Sequence, residues 1–339
     1  MNIYSFTRQD FEKYFEKIGE KKYKALQIYD WLYKKRVNSF DEMTNIKKEL
    51  KEKLKKDFNF EKPQIIKIQN GKDVHKFLFK LKDNEKIEAV LMNHDYGNSL
   101  CISTEVGCNM GCAFCESGRL KKRRDLTTDE MVLQILEIEK TVNTRISHIV
   151  LMGIGEPFDN YNNVMKFIDI INDDMAVAIG ARHITISTCG IVPKIKDFSK
   201  EKRQVNLAIS LHAPNDELRS KLMKINKVYP LKEVIEAVKE YLKINNRKVT
   251  FEYIMLKDIN DDPKYAVELA NLLKGLNCYV NLIPYNETSH IEFKKSDNKQ
   301  IMKFYDVLKK NKINVTVRRE FGSEVDAACG QLRSNYKEE

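Results

Sequence analysis

The spacing of apolar residues changes its period along the chain. Residues 7 to 17 and 21 to 36 carry apolar side chains at helical spacing, with Tyr23, Leu26, Trp31 and Leu32 marking the second stripe. Residues 45 to 58 add a third helix with a heavily basic outer face. Three shorter runs, "PQIIKIQ", "HKFLFKLKD" and "KIEAVLMNH", read as strands, with Asp83, Asn84 and Glu85 at a turn between the last two. From about residue 98, strand and helix alternate. "SLCISTEV", "HIVLMGIG", "HITISTCG", "VNLAISLH", "KVTFEYIML" and "YVNLIPYN" are short β-branched runs. Amphipathic stretches at 128–142, 161–172, 193–200, 215–243 (in two pieces) and 263–275 separate them, and a helix at 297–310 and a strand, "NVTVRRE", follow. Thr127, with Glu130 three residues on, forms a capping-box start.

This alternation predicts a parallel sheet with right-handed crossovers. Six units are too few to close an eight-stranded barrel. The expected fold class is therefore α/β: a partial (β/α)6 barrel behind a small basic α+β unit. In such folds chemistry sits at the C-terminal ends of the strands. The cysteine loop, "GIGEP", "STCG", "SLHAP" and "PYN" all fall there.

Composition adds little until charge is considered. No apolar run approaches the ~20 residues that span a bilayer, and the N-terminus carries no signal-like apolar stretch, so a cytoplasmic protein without membrane contact is expected. Net charge is +10, and residues 1 to 90 hold 22 Lys and Arg against 15 Asp and Glu. A second basic knot, "RLKKRR", follows the cysteines directly, and we read it as a contact for a polyanion such as RNA. The N-terminal excess fits an RNA surface and an ordinary solvated lysine face equally well.

Seven cysteines in a cytosolic chain point to metal or redox chemistry rather than a disulfide framework. Cys189 and Cys278 sit in apolar surroundings and read as core. Cys108, Cys112 and Cys115 are spaced C-x3-C-x2-C. Three thiolates leave one iron of a cubane without a protein ligand, open to a substrate group. The competing reading is a structural zinc with a distant fourth ligand such as His94.

The cysteine loop, with Phe114 before its third cysteine, resembles the signature of the radical S-adenosylmethionine (SAM) superfamily. The match narrows over "QIYDWLYKKRVNSFDEM", "CISTEVGCNMGCAFC", "LMGIGEP", "ISTCGIVPKI", "VNLAISLHAPNDELRSKLM", "FEYIML", "NLIPYN" and "VDAACGQL", in that order. The chain resembles the radical SAM adenine methyltransferases of 23S ribosomal RNA, the RlmN/Cfr family, from about residue 20 to 335.

The resemblance implies three segments: an RNA-binding accessory domain at 1–93, a radical SAM core at 94–324 and a tail at 325–339. It implies a [4Fe-4S] cluster on Cys108, Cys112 and Cys115, and SAM contacts from Gly155, Glu156, Ser187, Ser210, Leu211, His212 and Asn286. It implies two SAM molecules per turnover. In the family reading Cys329 carries the methyl group, Cys101 resolves the covalent adduct through a transient disulfide, and Glu88 accepts the ring proton. Without the resemblance, Cys101 and Cys329 read as small buried thiols and Glu88 as an exposed strand carboxylate. The implied partners are 23S rRNA, transfer RNA and a flavodoxin- or ferredoxin-type electron donor, and the implied state is a monomer.

The run "CESGRLKKRRDL" departs from the family pattern at Glu116 and Asp125. Methylation at carbon 2 of the adenine is the favoured reading. A Cfr-type reaction at carbon 8, a radical SAM enzyme with a different substrate, and a non-catalytic metal-stabilised RNA-binding protein are the alternatives.

Overall fold

The computed structural model describes residues 1–201, 203–318, 325 and 331–336, the last segment without the side chains of 334 and 335. The chain opens with a helical module. A 3-10 turn, Ile3–Ser5, leads into α1 (Arg8–Lys17), then α2 (Lys24–Tyr29), which continues as a π turn, Asp30–Lys34, and α3 (Lys48–Asp57). Helix α1 starts at a reciprocal cap in which the Asp10 N–H donates to Thr7 and the Thr7 N–H to Asp10, both at 3.1 Å. Its Phe11 and Phe15, one turn apart, are fully buried, and Phe11 packs against Tyr29 and Phe58.

The strands β1 (Gln64–Asn70), β2 (Val74–Lys80), β3 (Lys86–His94) and β4 (Gly97–Ile102) pair antiparallel in succession. A small ribbon, β5 (Glu105–Val106) with β6 (Arg124–Asp125), brackets the cysteine loop and its short helix α4 (Glu116–Arg119). Then come α5 (Thr128–Val142), β7 (His148–Leu151), α6 (Tyr161–Asn172), β8 (Ile184–Thr188), α7 (Val192–Lys200) and β9 (Asn206–Ser210). The chain continues through α8 (Asp216–Leu222), α9 (Leu231–Asn245), β10 (Val249–Met255), α10 (Pro263–Leu272) and β11 (Cys278–Pro284). It ends in α11 (Asn298–Lys310), β12 (Val315–Val317) and α12 (Gln331–Asn335).

Strands β4, β7, β8, β9, β10 and β11 run parallel in that order, the six expected β/α units. Strand β12 extends this half on one edge, and the antiparallel β1–β3 extend it on the other, so ten strands share one sheet. The expected segment boundary at 93/94 falls inside the β3–β4 hairpin, where His94 pairs with Gly97.

One large apolar core runs from Ile3 in the module to Val315 in the last strand, and a smaller cluster around Leu222, Met223 and Tyr285 lies apart from it. Polar contacts tie the module to the outer helices: Lys166 to Asp10 at 2.8 Å, Arg8 to Asp173 at 3.2 Å, Lys62 to Glu137 at 3.0 Å. The module thus sits against α5 and α6. Among the described residues no helix is long and apolar enough to cross a membrane.

Candidate active site

A cavity of about 350 Å³ opens at the C-terminal ends of the parallel strands. Its wall includes Cys108, Cys112 and Cys115 from the loop after β5, Gly155 and Glu156 after β7, Ser187 in β8, Ser210 and His212 at the end of β9, and Asn286 after β11. Glu88 of β3 and Cys101 of β4 face the same space from the antiparallel side. Leu211 does not line the cavity. It is fully buried, and its N–H and carbonyl are spent on the Glu252 carbonyl at 3.0 Å and the Arg219 Nε at 3.2 Å. Cys329 lies outside the described residues.

The sequence builds the cysteine loop by pinning both its ends. The Cys108 N–H donates to the Leu120 carbonyl at 2.8 Å, and the Ala113 N–H reaches the Leu222 carbonyl at 2.8 Å. Phe114 packs edge-on against His212, with ring centres 4.8 Å apart. Burial pushes the Cys108 thiol up to about 12 and raises Cys112 and Cys115, since a lone thiolate there loses its water. Iron reverses that preference, because a coordinating thiol is deprotonated outright. Three thiols from one short loop that line one cavity fit a cluster held at three of its corners. His94, the fourth ligand a structural zinc would need, stacks on Tyr96 at 4.6 Å beside the first residue of β4, a strand length from the cysteine loop. The donor set therefore fits an iron–sulfur cluster held by three cysteines, and His94 stands apart from it.

The glycines of "GIGEP" serve packing more than ligand approach. Gly155 has φ +113°, and a side chain there would meet Glu105 and Thr104 at 2.7 Å. Glu156 is buried, and burial raises its carboxyl above the usual range. Its oxygens accept the N–H of Cys189 at 2.8 Å and of Phe158 at 3.1 Å. This fixes a carboxyl beside the cysteines, suited to an ammonium group whose charge would favour its ionised form. His212 holds a positive φ and accepts the Ile254 N–H on Nδ1 at 3.1 Å. Burial, with Arg219 nearby, lowers its pKa to about 3, so the ring is neutral and acts as a fixed hydrogen-bonder. Ser187 and Ser210 contact each other at 3.3 Å.

Several functional neighbours escape a sequence reading. Arg219 is fully buried and joins the loops after β8 and β9 through the carbonyls of Cys189 at 2.6 Å and Leu211 at 3.2 Å. Lys76, Glu252 and Arg318 all line the cavity. Cys189, read as core, is buried but also forms part of the wall. Glu88 is buried rather than exposed, at 3%. The available signal was a charged residue on the inward phase of an otherwise apolar strand.

The basic knot proves divided. Lys122 is spent on Glu105 and Asp125 at 2.6 Å and Asp159 at 2.7 Å, and Arg124 on Glu130 at 2.7 Å and Asp83 at 2.6 Å. These two brace the cysteine loop from within. Arg119, Lys121 and Arg123 remain exposed for an outside polyanion. Glu116 is buried in the wall, 3.4 Å from His290.

Residues 102–270 match the family model for the radical SAM superfamily, and residues 1–59 match the model for the ribosomal RNA large subunit methyltransferase N-terminal domain. A curated protein of Spiroplasma citri, "Probable dual-specificity RNA methyltransferase RlmN", is 53% identical over 98% of this chain and 97% of its own length. The protein of the same description from Enterococcus faecalis is 52% identical over 98% and 96%. A crystal structure of a radical SAM methyltransferase from Sphaerobacter thermophilus superposes with a TM-score of 0.91 at 38% identity, covering 98% of both chains. The chain belongs to the radical SAM superfamily and, within it, to the RlmN family of RNA methyltransferases.

Proposed function

We propose that the protein methylates carbon 2 of an adenine in 23S rRNA and of an anticodon-loop adenine in transfer RNA. One observation carries this reading: the three cysteines of the loop, the anchored carboxyl of Glu156, the carboxyl of Glu88 and the thiol of Cys101 face one cavity. Carbon 2 lies between two ring nitrogens and is too electron-poor to attack a methyl cation equivalent. The methyl group must therefore arrive by another route, and the chain has the groups to supply one.

Cys108, Cys112 and Cys115 would hold the [4Fe-4S] cluster, which when bound supplies the electron that cleaves SAM. Glu156, Ser187, Ser210 and Asn286 hold and orient SAM. Two SAM molecules are used per turnover, one of them to methylate Cys329. Once the methyl carbon of Cys329 is bonded to the ring, Glu88 accepts the ring proton. Cys101 then attacks the Cys329 sulfur as a thiolate; the sulfur–carbon bond breaks with its electron pair going to the departing carbon, which takes up a proton to become the methyl group, and a transient disulfide remains. Cys101 is held as a thiol until that step, because burial lifts it to about 11. The helical module, with the lysines of α3, positions RNA by phosphate contacts while the target base is unstacked into the cavity.

Mass mapping of ribosomal and transfer RNA from cells with and without the gene tests the proposal. The expected result is one added methyl at carbon 2 of each target. A methyl at carbon 8, or none, overturns it.

A further inference from the structure

The inner face of the antiparallel half pairs the proton acceptor, Glu88, with a buried lysine that the reaction above does not use. Lys76 of β2 and Glu88 of β3 lie on one face of adjacent strands, where Lys76 pairs with Val90 and Leu78 with Glu88. Cys101 pairs with Val90 from the other side, so lysine, valine and thiol form one row across the sheet. Lys76 is fully buried, Glu88 is 3% exposed, and the Lys76 Nζ stands 3.1 Å from Oε2 of Glu88. A buried ion pair is seldom retained for stability alone, since desolvation offsets most of its attraction. Oε1 of Glu88 is used differently. It accepts the backbone N–H of Arg333 in α12, four residues beyond Cys329. Arg333 is further tied to Glu85 at 3.2 Å, and Leu332 beside it is fully buried.

We infer that Lys76 is the positioning residue for proton abstraction. Its ammonium engages Oε2 and thereby presents Oε1 to the cavity. That oxygen is covered by the Arg333 N–H while the tail is docked, and it meets the target base once the tail moves aside. In the step itself the ring C–H bond breaks, its electron pair stays in the ring, and the proton goes to Oε1. This inference rests on the reading of Glu88 as the proton acceptor.

Single-turnover reactions of the full chain, loaded with cluster and SAM and given RNA deuterated at the target carbon, test it. Lys76→Met is expected to lower product by about 10- to 100-fold, the cost of roughly an ångström of misplacement. Methylation of Cys329 in the same sample should stay normal, which certifies the fold. A covalent RNA–protein adduct should accumulate, and product formation should show a larger deuterium effect than in the parent. Lys76→Arg should restore part of the product and shrink that deuterium effect. Normal product from Lys76→Met without adduct overturns the inference, as does adduct accumulation with no change in the deuterium effect. Should Lys76→Met fail to methylate Cys329, Lys76→Arg alone decides: parental product and deuterium effect overturn the inference. Glu88→Gln separates the two readings. If it traps adduct and Lys76→Met does not, only the role of Lys76 fails. If Glu88→Gln turns over normally, the reading of Glu88 fails as well.

Discussion

The helical module and the barrel bury opposite things. The module centres on rings, Tyr4, Phe11, Phe15, Tyr29 and Phe58, and carries most of its lysines outside, Lys24 excepted. The barrel half buries Lys76, Glu88, Glu156 and Glu252 around one cavity, with Arg219 buried between two of its loops. Charges in water are cheap to carry but weakly oriented, and salt screens them. Charges in a dry wall are costly, but each is fixed by named partners. The first arrangement suits affinity for a phosphate backbone, and the second suits chemistry at one atom.

The sharpest break of this comparison lies at the cysteine loop. Cys108→Ala, Cys112→Ala or Cys115→Ala should each reduce RNA methylation to background. Protein reconstituted without oxygen should lose the iron, sulfide and visible absorption of the parent. The module is remote from that loop, so RNA affinity should be unchanged in a binding assay.

Next in size is the thiol of β4. Cys101→Ala should stop turnover and accumulate the covalent adduct. In the parent, the thiolate fraction of a group lifted to about 11 by burial rises tenfold per pH unit below that value. Adduct resolution, followed in a single turnover, should therefore accelerate from pH 7 to 9. A flat profile would mean that forming this thiolate does not limit the step.

A stability test probes the other region. Phe11→Ala removes a ring packed against Phe6, Phe15, Tyr29 and Phe58, and should cost about 3–5 kcal/mol. Denaturant unfolding reads this directly. Because one apolar core joins module to barrel, the loss should appear in a single transition. A separate early transition would show instead that the module unfolds alone.

These regions were not equally legible in the sequence. The barrel units could be read because β-branched runs and amphipathic helices alternate at a constant rhythm, and "GCNMGCAFC" sits where such folds place chemistry. Lys76 and Glu88 could not be read as a pair. Each is the charged residue inside a largely apolar strand, and only the β2–β3 register brings them together. Arg219 was hidden in the same way, since its partners are backbone carbonyls, which have no sequence signature. "RLKKRR" misled in part because residue type does not tell a brace from a contact. Lys122 and Arg124 turn inward to carboxylates supplied from distant positions, Glu105, Asp159 and Asp83, as well as from nearby.

The smallest effects belong to the lysines of α3. Lys48, Lys53 and Lys56 are exposed, while Leu50 and Leu54 hold the helix down from its opposite face. Replacing each with Ala should leave folding and Cys329 methylation unchanged. It should weaken RNA binding by only about two- to threefold per residue, consistent with one phosphate contact in high dielectric. The salt dependence is the more telling measurement. Each lost contact should reduce the slope of log affinity against log salt by roughly 0.7 to 0.9. The same substitutions at Lys121 and Arg123 provide the comparison, because those exposed cations follow the cysteine loop directly and should affect single-turnover methylation as well as binding. If the α3 variants leave the slope unchanged while the Lys121 and Arg123 variants lower it, the RNA lies against the barrel mouth alone. The module's surface charge would then serve solubility rather than recognition.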